Sequence, residues 1–366
     1  MGKHQKHTKL TRAESGQWAR NEISLIGAPC GVLRELASQI SAQLAPFRCV
    51  FIDESHNHDA KENSFETWIK EGSNAILSSK SGNKFDTQFQ FADYDLAIVN
   101  GNHFDCNSQI VILDNRKLES LERKADRLTN VVGFVENNTS ERPAFLKNSN
   151  APVFPFDAVS SISDLIRHHT LAPAPIFGLV LAGGKSTRMH QDKTVLDYHG
   201  VPQRKHLFSL MSKHCAEVYT SCRKEQVNEY SNLNPLPDRL EGMGPFGAII
   251  SAFIHNPNAA WLITAVDLPY VNDSCLSELT SSRDSSKTAT AFFNAETEFP
   301  DPLLTIWEPK SYIRLLKFLE RGYSCPRKVL INSDCAVIKP SNRQWLQNVN
   351  TPEQLKVVLG KISVED

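Results

Sequence analysis

The chain has 366 residues, which is more than one ordinary hydrophobic core accommodates and indicates about two domains. Its 40 Lys and Arg residues balance 41 Asp and Glu residues, so the overall charge excludes binding to nucleic acid or a membrane through a general excess of positive charge. The composition, 40% hydrophobic and 22% charged, is typical of a globular protein in water.

The eight cysteines are dispersed and none forms a C-x-x-C pair, so the sequence indicates neither a zinc ribbon nor a thioredoxin-like site. They are Cys30, Cys49, Cys106, Cys215, Cys222, Cys275, Cys325 and Cys335. Dispersed thiols are typical of a reducing compartment. No apolar run approaches the ~20 residues that span a bilayer, and the N-terminus lacks the apolar segment of a signal peptide. We therefore expect a cytoplasmic protein with no nucleic-acid or membrane partner.

Residues 1–20 carry five basic side chains against the single acidic Glu14 and have no apolar periodicity. The basic residues are Lys3, Lys6, Lys9, Arg12 and Arg20. Such a segment is typical of a solvated basic tail, and the alternative is a contact with an anionic cofactor or a protein partner.

Residues 21–169 alternate between apolar, strand-like runs and amphipathic helical stretches. The predicted elements are a strand Ile23–Ile26, a turn Gly27–Gly31, a helix Val32–Ile40, strands Cys49–Ile52, Tyr94–Gly101, Gln109–Leu113 and Asn130–Val135, the run Val153–Asp157 and a helix Ser160–His169. This alternation predicts a three-layer α/β domain in which helices cover a parallel sheet.

In order and spacing these elements resemble the small GTP-binding adaptor protein of molybdopterin guanine dinucleotide synthesis, which has a P-loop fold. The turn between Gly27 and Gly31 is shorter than a Walker A loop, and Val32 and Leu33 stand where a Lys and a Ser or Thr would grip phosphate and Mg²⁺. We therefore expect residues 21–169 to be a degenerate P-loop-like adaptor domain that does not hydrolyse nucleotide.

A polar stretch after the second predicted strand holds His56 and His58 beside Asp53 and Asp59. These residue types bind metals, but no third ligand of suitable spacing can be named, and a polar loop produces the same cluster. The sequence favours the loop.

Residues 170–175 contain two prolines and are predicted to be a short linker. A strand then breaks into a glycine loop and turns basic between Phe177 and Lys193. Gly183 and Gly184 allow the backbone to approach a ligand closely, and Arg188 and Lys193 add positive charge. Backbone N–H groups in such a loop suit a phosphate chain, so this run predicts a nucleoside-triphosphate site.

Further α/β units follow the glycine loop. They comprise a helix Gln203–Cys215, a strand Glu217–Cys222, a glycine-rich turn after Asp238, a strand that begins at Trp261 and ends at Asp267, a strand Phe299–Trp307, a helix Ser311–Arg321 and a last helix from Thr351. A carboxylate at the carboxyl end of a central strand lies where α/β sheets bind ligands. Asp267 is therefore predicted to hold Mg²⁺.

Four motifs in this half resemble those of the molybdenum cofactor guanylyltransferases, which are MobA-like nucleotidyltransferases. They are Leu181-Ala-Gly-Gly-x-Ser-x-Arg-Met-x-x-Asp-Lys193, Asp238 with Gly244-Pro245, Asp267-x-Pro269 and Asn348-x-Asn-Thr-Pro352. The likeness covers about residues 175–360 and implies that residues 176–366 form a Rossmann-like nucleotidyltransferase domain with three α/β layers. His190 departs from the family's usual Gly, and Thr220 stands where the guanylyltransferases often have Asn.

The resemblance also assigns roles to residues. The implied nucleotide-binding residues are Leu181, Ala182, Gly183, Gly184, Lys193, Thr220, Asp238 and Asp267. Asp238 is implied to accept the N–H donors of guanine, and the alternative is that it caps a turn. The implied catalytic residues are Arg188, Lys193 and Asp267, the last holding Mg²⁺. Weaker candidates for contacts to the second substrate are Arg327, which is nearly as well explained by a solvated surface, Asn348 and Asn350.

The implied reaction transfers GMP from GTP to molybdenum-molybdopterin and releases pyrophosphate. The attacking phosphate is already ionised, so alignment and charge neutralisation suffice without a strong general base. The implied partners are the molybdopterin cofactor and GTP, and beyond them cofactor-synthesis proteins and acceptor molybdoenzymes. The alternatives are cytidylyl transfer to the same cofactor, another small-molecule nucleotidyltransferase, and a non-catalytic protein that binds the cofactor.

Overall fold

The computed structural model describes residues 9–54, 64–68, 74–78, 84–183 and 193–365. The chain divides into two compact units, one of Glu14–Ala172 and one of Met1–Ala13 with Pro173–Asp366. Each unit is built on its own sheet with flanking helices, so the predicted α/β fold class is confirmed. In the described part of the chain, no helix combines the length and apolarity needed to cross a membrane.

The first unit has an eight-stranded sheet in the order β4-β3-β2-β5-β1-β6-β7-β8. Its strands are β1 (Glu22–Ile26), β2 (Cys49–Glu54), β3 (Ser64–Trp68), β4 (Asn74–Ser78), β5 (Leu96–Asn100), β6 (Gln109–Leu113), β7 (Val131–Glu136) and β8 (Val153–Pro155). Its helices are α1 (Cys30–Gln43), α2 (Lys84–Gln90), α3 (Leu118–Glu122) and α4 (Val159–Thr170). Alternate strand residues face opposite sides of the sheet, as the two-residue period of a strand requires. One side packs with α1 and α4 in a single apolar cluster, and the other side contributes to two further clusters.

The sheet of this unit is mixed rather than wholly parallel. β3 pairs antiparallel with both β2 and β4, whereas the six strands from β2 to β8 in the sheet order are parallel. The predicted parallel core is therefore present, with an antiparallel extension at one edge.

The predicted solvated tail is wrong for its C-terminal part. Trp18 is only 5% exposed, its indole N–H donates to the carbonyl of Asp105 at 3.1 Å, and its ring packs edge-on against Phe104 with centroids 4.9 Å apart. An aromatic side chain of this size gains more from burial than from solvation, so the neighbouring basic residues do not keep the segment in water.

The turn between β1 and α1 is closed by protein groups. α1 begins at Cys30, earlier than the predicted Val32, and Leu33 is fully buried in the core. The N–H of Gly27, which has a φ of 100°, donates to Oδ1 of Asn102, and Nδ2 of Asn102 donates to the carbonyl of Ala28 at 2.8 Å. Because Asn102 occupies polar groups of the turn, the turn resembles a capped bend more than a phosphate loop.

The second unit has a seven-stranded sheet in the order β11-β10-β9-β12-β14-β13-β15. Its strands are β9 (Ile176–Leu181), β10 (Glu217–Cys222), β11 (Pro235–Pro237), β12 (Ala260–Ala265), β13 (Ala289–Asn294), β14 (Phe299–Trp307) and β15 (Cys335–Ile338). Its helices are α5 (Gln203–Met211), α6 (Gly244–His255), α7 (Asp273–Ser281), α8 (Ser311–Glu320), α9 (Pro326–Ile331) and α10 (Pro352–Glu365). β14 runs antiparallel to both β12 and β13, and the other pairings are parallel.

The core of the second unit surrounds β12. Every residue of β12 is buried, and Trp261 on β12 and Trp307 on β14 are fully enclosed. α6 adds eight buried residues from its 12. This packing fixes the carboxyl ends of the parallel strands, which carry the site described next.

Candidate nucleotide site

Four parallel strands of the second unit end in one row. Leu181 on β9 is in register with Ser221 on β10 and with Ala265 on β12, and Ser221 is in register with Leu236 on β11. The residues that follow these strands therefore converge at one edge of the sheet, where α/β folds place ligands.

A pocket of about 700 Å³ opens at this edge. Its lining residues come from the ends of the four strands and the residues just after them, from α6 and the turn before it, from β14 and from a 3-10 turn at Thr194. They are Leu181, Ala182, Gly183, Thr194, Ser221, Arg223, Lys224, Glu225, Asp238, Glu241, Gly242, Gly244, Pro245, Ala248, Ala265, Val266, Asp267 and Leu303. The structure thus brings Leu181, Ala182, Gly183, Asp238 and Asp267 to one cavity.

Asp238 lies directly after β11, and hydrogen bonds hold both its backbone and its side chain. Its N–H donates to the carbonyl of Cys222 at 3.0 Å, and its Oδ1 accepts a hydrogen bond from Oγ of Ser221 at 2.9 Å. Burial raises the pKa of Asp238 to about 6, and the hydrogen bond from Ser221 opposes that rise. The carboxyl group is therefore poised to change its charge just below neutral pH.

The turn after Asp238 is built from glycines and anchored to α6. Gly242 and Gly244 have φ values of 78° and 56°, which side chains adopt only with strain. Oγ of Ser251 on α6 accepts from the N–H of Arg239 at 2.8 Å and donates to the carbonyl of Gly247 at 2.7 Å. A Cβ atom at Gly247 would overlap the carbonyl oxygen of Leu240, so the turn and the helix approach each other as closely as glycine permits.

Asp267 follows β12, and hydrogen bonds to the carbonyls of Asp267 and the next residue hold this part of the backbone. Its carbonyl accepts from the N–H of Val349 at 2.9 Å, and Nε2 of Gln203 donates to the carbonyl of the next residue, Leu268, at 3.3 Å. Burial, and then the negative charge of Asp267, raise the pKa of Tyr198 to about 12, so this phenol stays neutral near the carboxylate.

Several predicted residues fall outside the described residues or outside the pocket lining. Gly184, Arg188 and His190 lie in the stretch 184–192, outside the described residues. Lys193 begins a short 3-10 turn, Lys193–Val195, and its side chain also lies outside what the structure describes. Oγ1 of Thr194, in that turn, accepts from Nη1 of Arg204 at 2.9 Å.

Thr220 is fully buried on β10 and does not line the pocket, whereas its neighbour Ser221 does. Consecutive strand residues face opposite sides, so Thr220 points away from the side chain that reaches Asp238. Asn348 and Asn350 flank Val349, whose N–H is hydrogen-bonded to the carbonyl of Asp267, but neither lines the pocket. Arg327, half-buried on α9, does not line it either.

Ser221, Arg223 and Lys224 are among the lining residues that were not predicted from the sequence. Ser221 is the hydrogen-bond donor to Asp238, and Arg223 and Lys224 are cations of the lining, of which Arg223 is paired with Glu225 at 3.0 Å. The signal for the two cations was available, because a basic pair directly follows the predicted strand Glu217–Cys222. No local pattern marks Ser221.

A family model described as the MobA-like NTP transferase domain matches residues 178–335, which contain the glycine loop, Asp238 and Asp267. The C-terminal half of the chain contains a MobA-like NTP transferase domain. The predicted resemblance of this half and its enzyme class, a nucleotidyltransferase, are thereby confirmed.

Curated relatives of the MobA-like domain carry names from molybdenum cofactor synthesis. The chain is 36% identical over 185 residues to a "Molybdenum cofactor biosynthesis bifunctional protein" of Synechocystis sp., a match that spans 50% of this chain and 53% of that protein. It is 26% identical over 190 residues to a "Molybdenum cofactor guanylyltransferase" of Xanthomonas euvesicatoria, spanning 49% of this chain and 92% of the relative.

Among solved structures, the chain is similar to the molybdopterin-guanine dinucleotide biosynthesis protein A of Archaeoglobus fulgidus. The identity is 20% and the TM-score is 0.45, over 51% of this chain and 99% of that protein.

Proposed function

We propose that the pocket of the second unit binds GTP and transfers its GMP moiety to molybdenum-molybdopterin, giving the guanine dinucleotide cofactor and pyrophosphate. The observation that carries the proposal is the pair of carboxylates in one pocket, Asp238 at the end of β11 and Asp267 at the end of β12. The two substrate classes, a guanylyl donor and the molybdenum cofactor, are inferred from the names of relatives, several of which are called molybdenum cofactor guanylyltransferases.

The separation of the two carboxylates suits a nucleoside triphosphate. β11 and β12 are separated by β10 and β9, which amounts to three strand spacings of about 4.8 Å, or roughly 14 Å. An extended nucleotide bridges such a span, with its base at one carboxylate and its phosphates at the other, whereas a free base or a single phosphate does not.

Asp238 is proposed to recognise the base. A carboxylate is an acceptor of hydrogen bonds only, and the guanine edge offers two adjacent N–H donors, from N1 and N2, to its two oxygens. Cytosine offers donors only from its N4 amino group on that edge, and adenine only from N6. Ser221 holds Oδ1 in place, so the carboxylate is oriented before the base arrives.

Asp267 is proposed to hold Mg²⁺ beside the phosphates. The fit rests on donor chemistry, because Mg²⁺ is usually bound by one or two protein carboxylates together with substrate phosphates, and Asp267 offers a carboxylate in the pocket. When bound, the ion neutralises charge on the triphosphate. The chain's own cations in the described pocket lining are Arg223 and Lys224, and Arg188 and Lys193 of the glycine-loop motif are proposed to add to them.

The proposed reaction is an in-line displacement. A phosphate oxygen of molybdopterin forms a bond to the α-phosphorus of GTP while the bond from that phosphorus to the oxygen bridging to the β-phosphate breaks, and pyrophosphate leaves with that oxygen. The attacking phosphate needs no proton removed near neutral pH, so the protein's task is to align the groups and offset their charge.

Calorimetric titration with GTP, CTP and ATP in the presence of Mg²⁺ tests the base assignment. We expect GTP to bind at least about tenfold more tightly than either competitor, a difference of about 1.4 kcal/mol. Equal binding of all three would contradict the role of Asp238, and preference for CTP would favour cytidylyl transfer. Tight binding of molybdopterin with no transfer would favour a cofactor-binding protein.

A further inference from the structure

The first unit carries a second cluster of reactive side chains, also at the carboxyl edge of its sheet. Cys30 is the first residue of α1, Asp53 lies at the end of β2, and His103 follows β5, which is hydrogen-bonded between β1 and β2. One potential ligand atom from each residue lies within 4.8 Å of the other two. These residues are not part of the nucleotide pocket.

We propose that Cys30, Asp53 and His103 bind a Zn²⁺ ion. Thiolate, imidazole and carboxylate together form a donor set typical of zinc, and a site with three protein ligands leaves a fourth position for water or another small ligand. The proposal does not depend on the function assigned to the second unit.

Two of the three distances in the cluster are within about half an ångström of those in a tetrahedral zinc site. Sγ of Cys30 lies 3.2 Å from Nε2 of His103, and Nε2 lies 3.9 Å from Oδ1 of Asp53. Metal–ligand bonds of about 2.0–2.3 Å at tetrahedral angles place ligand atoms about 3.3–3.5 Å apart. Zinc therefore replaces the proton that Sγ and Nε2 share, and the side chains draw together to close the remaining distances, none of which exceeds 4.8 Å.

Outer contacts orient two of the ligands in the manner of established zinc sites. Nδ1 of His103 lies 2.9 Å from Oε2 of Glu54, an arrangement that fixes the ring and directs Nε2 into the cluster. Asp53 is fully buried, and its Oδ1 accepts from Nδ2 of Asn100 at 2.6 Å and from the N–H of Glu54 at 2.8 Å. Its Oδ2 accepts from Arg34 at 3.3 Å.

The site is also accessible to a metal ion. The side chain of His103 is 18% exposed and Cys30 is half-buried, so an ion can reach the two softer ligands from solvent while the buried carboxylate forms the floor. The Arg34 side chain, 36% exposed, can turn outward if the ion takes Oδ2 as well.

Zinc titration of the full-length protein tests this proposal. Protein stripped with a chelator is titrated with Zn²⁺ against a chromophoric zinc chelator, with Mg²⁺ in excess to occupy sites that prefer hard ligands. We expect about one Zn²⁺ per chain, and a loss of affinity of more than about 100-fold in Cys30→Ser and in His103→Ala, because losing an outer partner alone costs about 10–100-fold. Cys325→Ser and His168→Ala, which change exposed residues of the same types, should bind as wild type does.

Cobalt substitution identifies the thiolate directly. Co²⁺ in the wild-type site should give a thiolate-to-metal charge-transfer band in the near ultraviolet, which Cys30→Ser abolishes and Cys325→Ser retains. Glu54→Gln keeps all three ligands, so it tests the site even if a ligand variant does not fold. It should weaken zinc binding about 10–100-fold. Absence of zinc binding by wild type, or a cobalt spectrum without the thiolate band, would overturn the proposal.

Discussion

Two properties of Asp238 favour opposite protonation states. Burial favours the neutral carboxyl group, whereas accepting hydrogen bonds from guanine requires the ionised one. Its pKa is raised to about 6, so the group is protonated in the free protein below that pH and ionised above it. Recognition of guanine N–H donors requires the ionised form. GTP affinity should therefore be constant above pH 7 and fall by up to about tenfold per pH unit below pH 6, as calorimetry between pH 5 and 8 can measure.

The Asp238→Asn variant separates recognition from stability. A folded-state pKa raised above its ordinary value of 3.8 means that this group's contribution to stability is present below pH 4 and is lost as the pH rises through 6. Asp238→Asn should therefore raise Tm at pH 7.5 while it weakens GTP binding at least about tenfold and removes the pH dependence. A variant that binds GTP like wild type, with the same pH profile, would show that Asp238 does not contact the base.

The residues of the two clusters differ in how readily the sequence reveals them. Asp267 was predicted from its place at the end of an apolar strand, whereas Asp238, which directly follows the short strand β11, was assigned only by the family resemblance. The bond from Ser221 to Asp238 joins residues 17 apart, and the contact of Cys30 with His103 joins residues 73 apart. Such contacts depend on which strands become neighbours, and no local pattern encodes that order.

The turn between β11 and α6 positions Asp238 through its close approach to the helix. Gly247→Ala places a methyl group against the carbonyl of Leu240 and should displace this turn. We expect GTP affinity to fall at least about tenfold and Tm to fall with it, as overpacking typically costs about 1–3 kcal/mol. Gly360→Ala on α10 is the matched control, because a Cβ there meets nothing within 4 Å and alanine favours the helix. Equal GTP affinity of both variants and wild type would show that the turn does not position the base site.

At the level of elements, long apolar runs were predicted correctly and short polar ones were not. β1, β2, β6, β9 and β12 match the predicted strands within a few residues. The hairpin β3–β4 received no assignment, because five-residue strands with mixed polar residues have little periodicity, and its antiparallel pairing to β2 depends on tertiary contacts. α5 ends at Met211 rather than the predicted Cys215, since helix ends are set by local turns as well as by apolar spacing.

Nucleotide chemistry is expected in the second unit of the molecule and not in the first. Val32 and Leu33 of the first unit supply neither a cation nor a hydroxyl, Leu33 is buried, and Asn102 caps the turn where a phosphate would lie. The full-length protein with GTP and Mg²⁺ should therefore release no orthophosphate above the uncatalysed rate, and any phosphate product should be pyrophosphate. A phosphate-release assay with and without pyrophosphatase distinguishes the two, and steady release of orthophosphate without pyrophosphatase would contradict the expectation.

The whole chain was predicted as two α/β domains joined near residues 170–175, and the structure divides it between Ala172 and Pro173. The proline-rich composition of the linker predicts such a division because it interrupts both helix and sheet. The P-loop-like role of the first unit remains a prediction. The motifs of the second unit indicated its family because they are long and occur in order, whereas the residues of the proposed metal site in the first unit are brought together only by its sheet order.

Formation of the guanine dinucleotide cofactor by wild type and Asp267→Asn tests the central claim most directly. Molybdate-loaded molybdopterin, GTP and Mg²⁺ are incubated with each protein, and product is measured as GMP released by acid hydrolysis. Wild type should form the dinucleotide, and Asp267→Asn should be slower by at least about 100-fold, or about 2.7 kcal/mol, while Asp273→Asn, an exposed carboxylate in the same unit, should match wild type. Absence of dinucleotide product from wild type would contradict the assigned reaction. Equal rates for wild type and Asp267→Asn would contradict the assignment of Asp267 as the metal-binding residue.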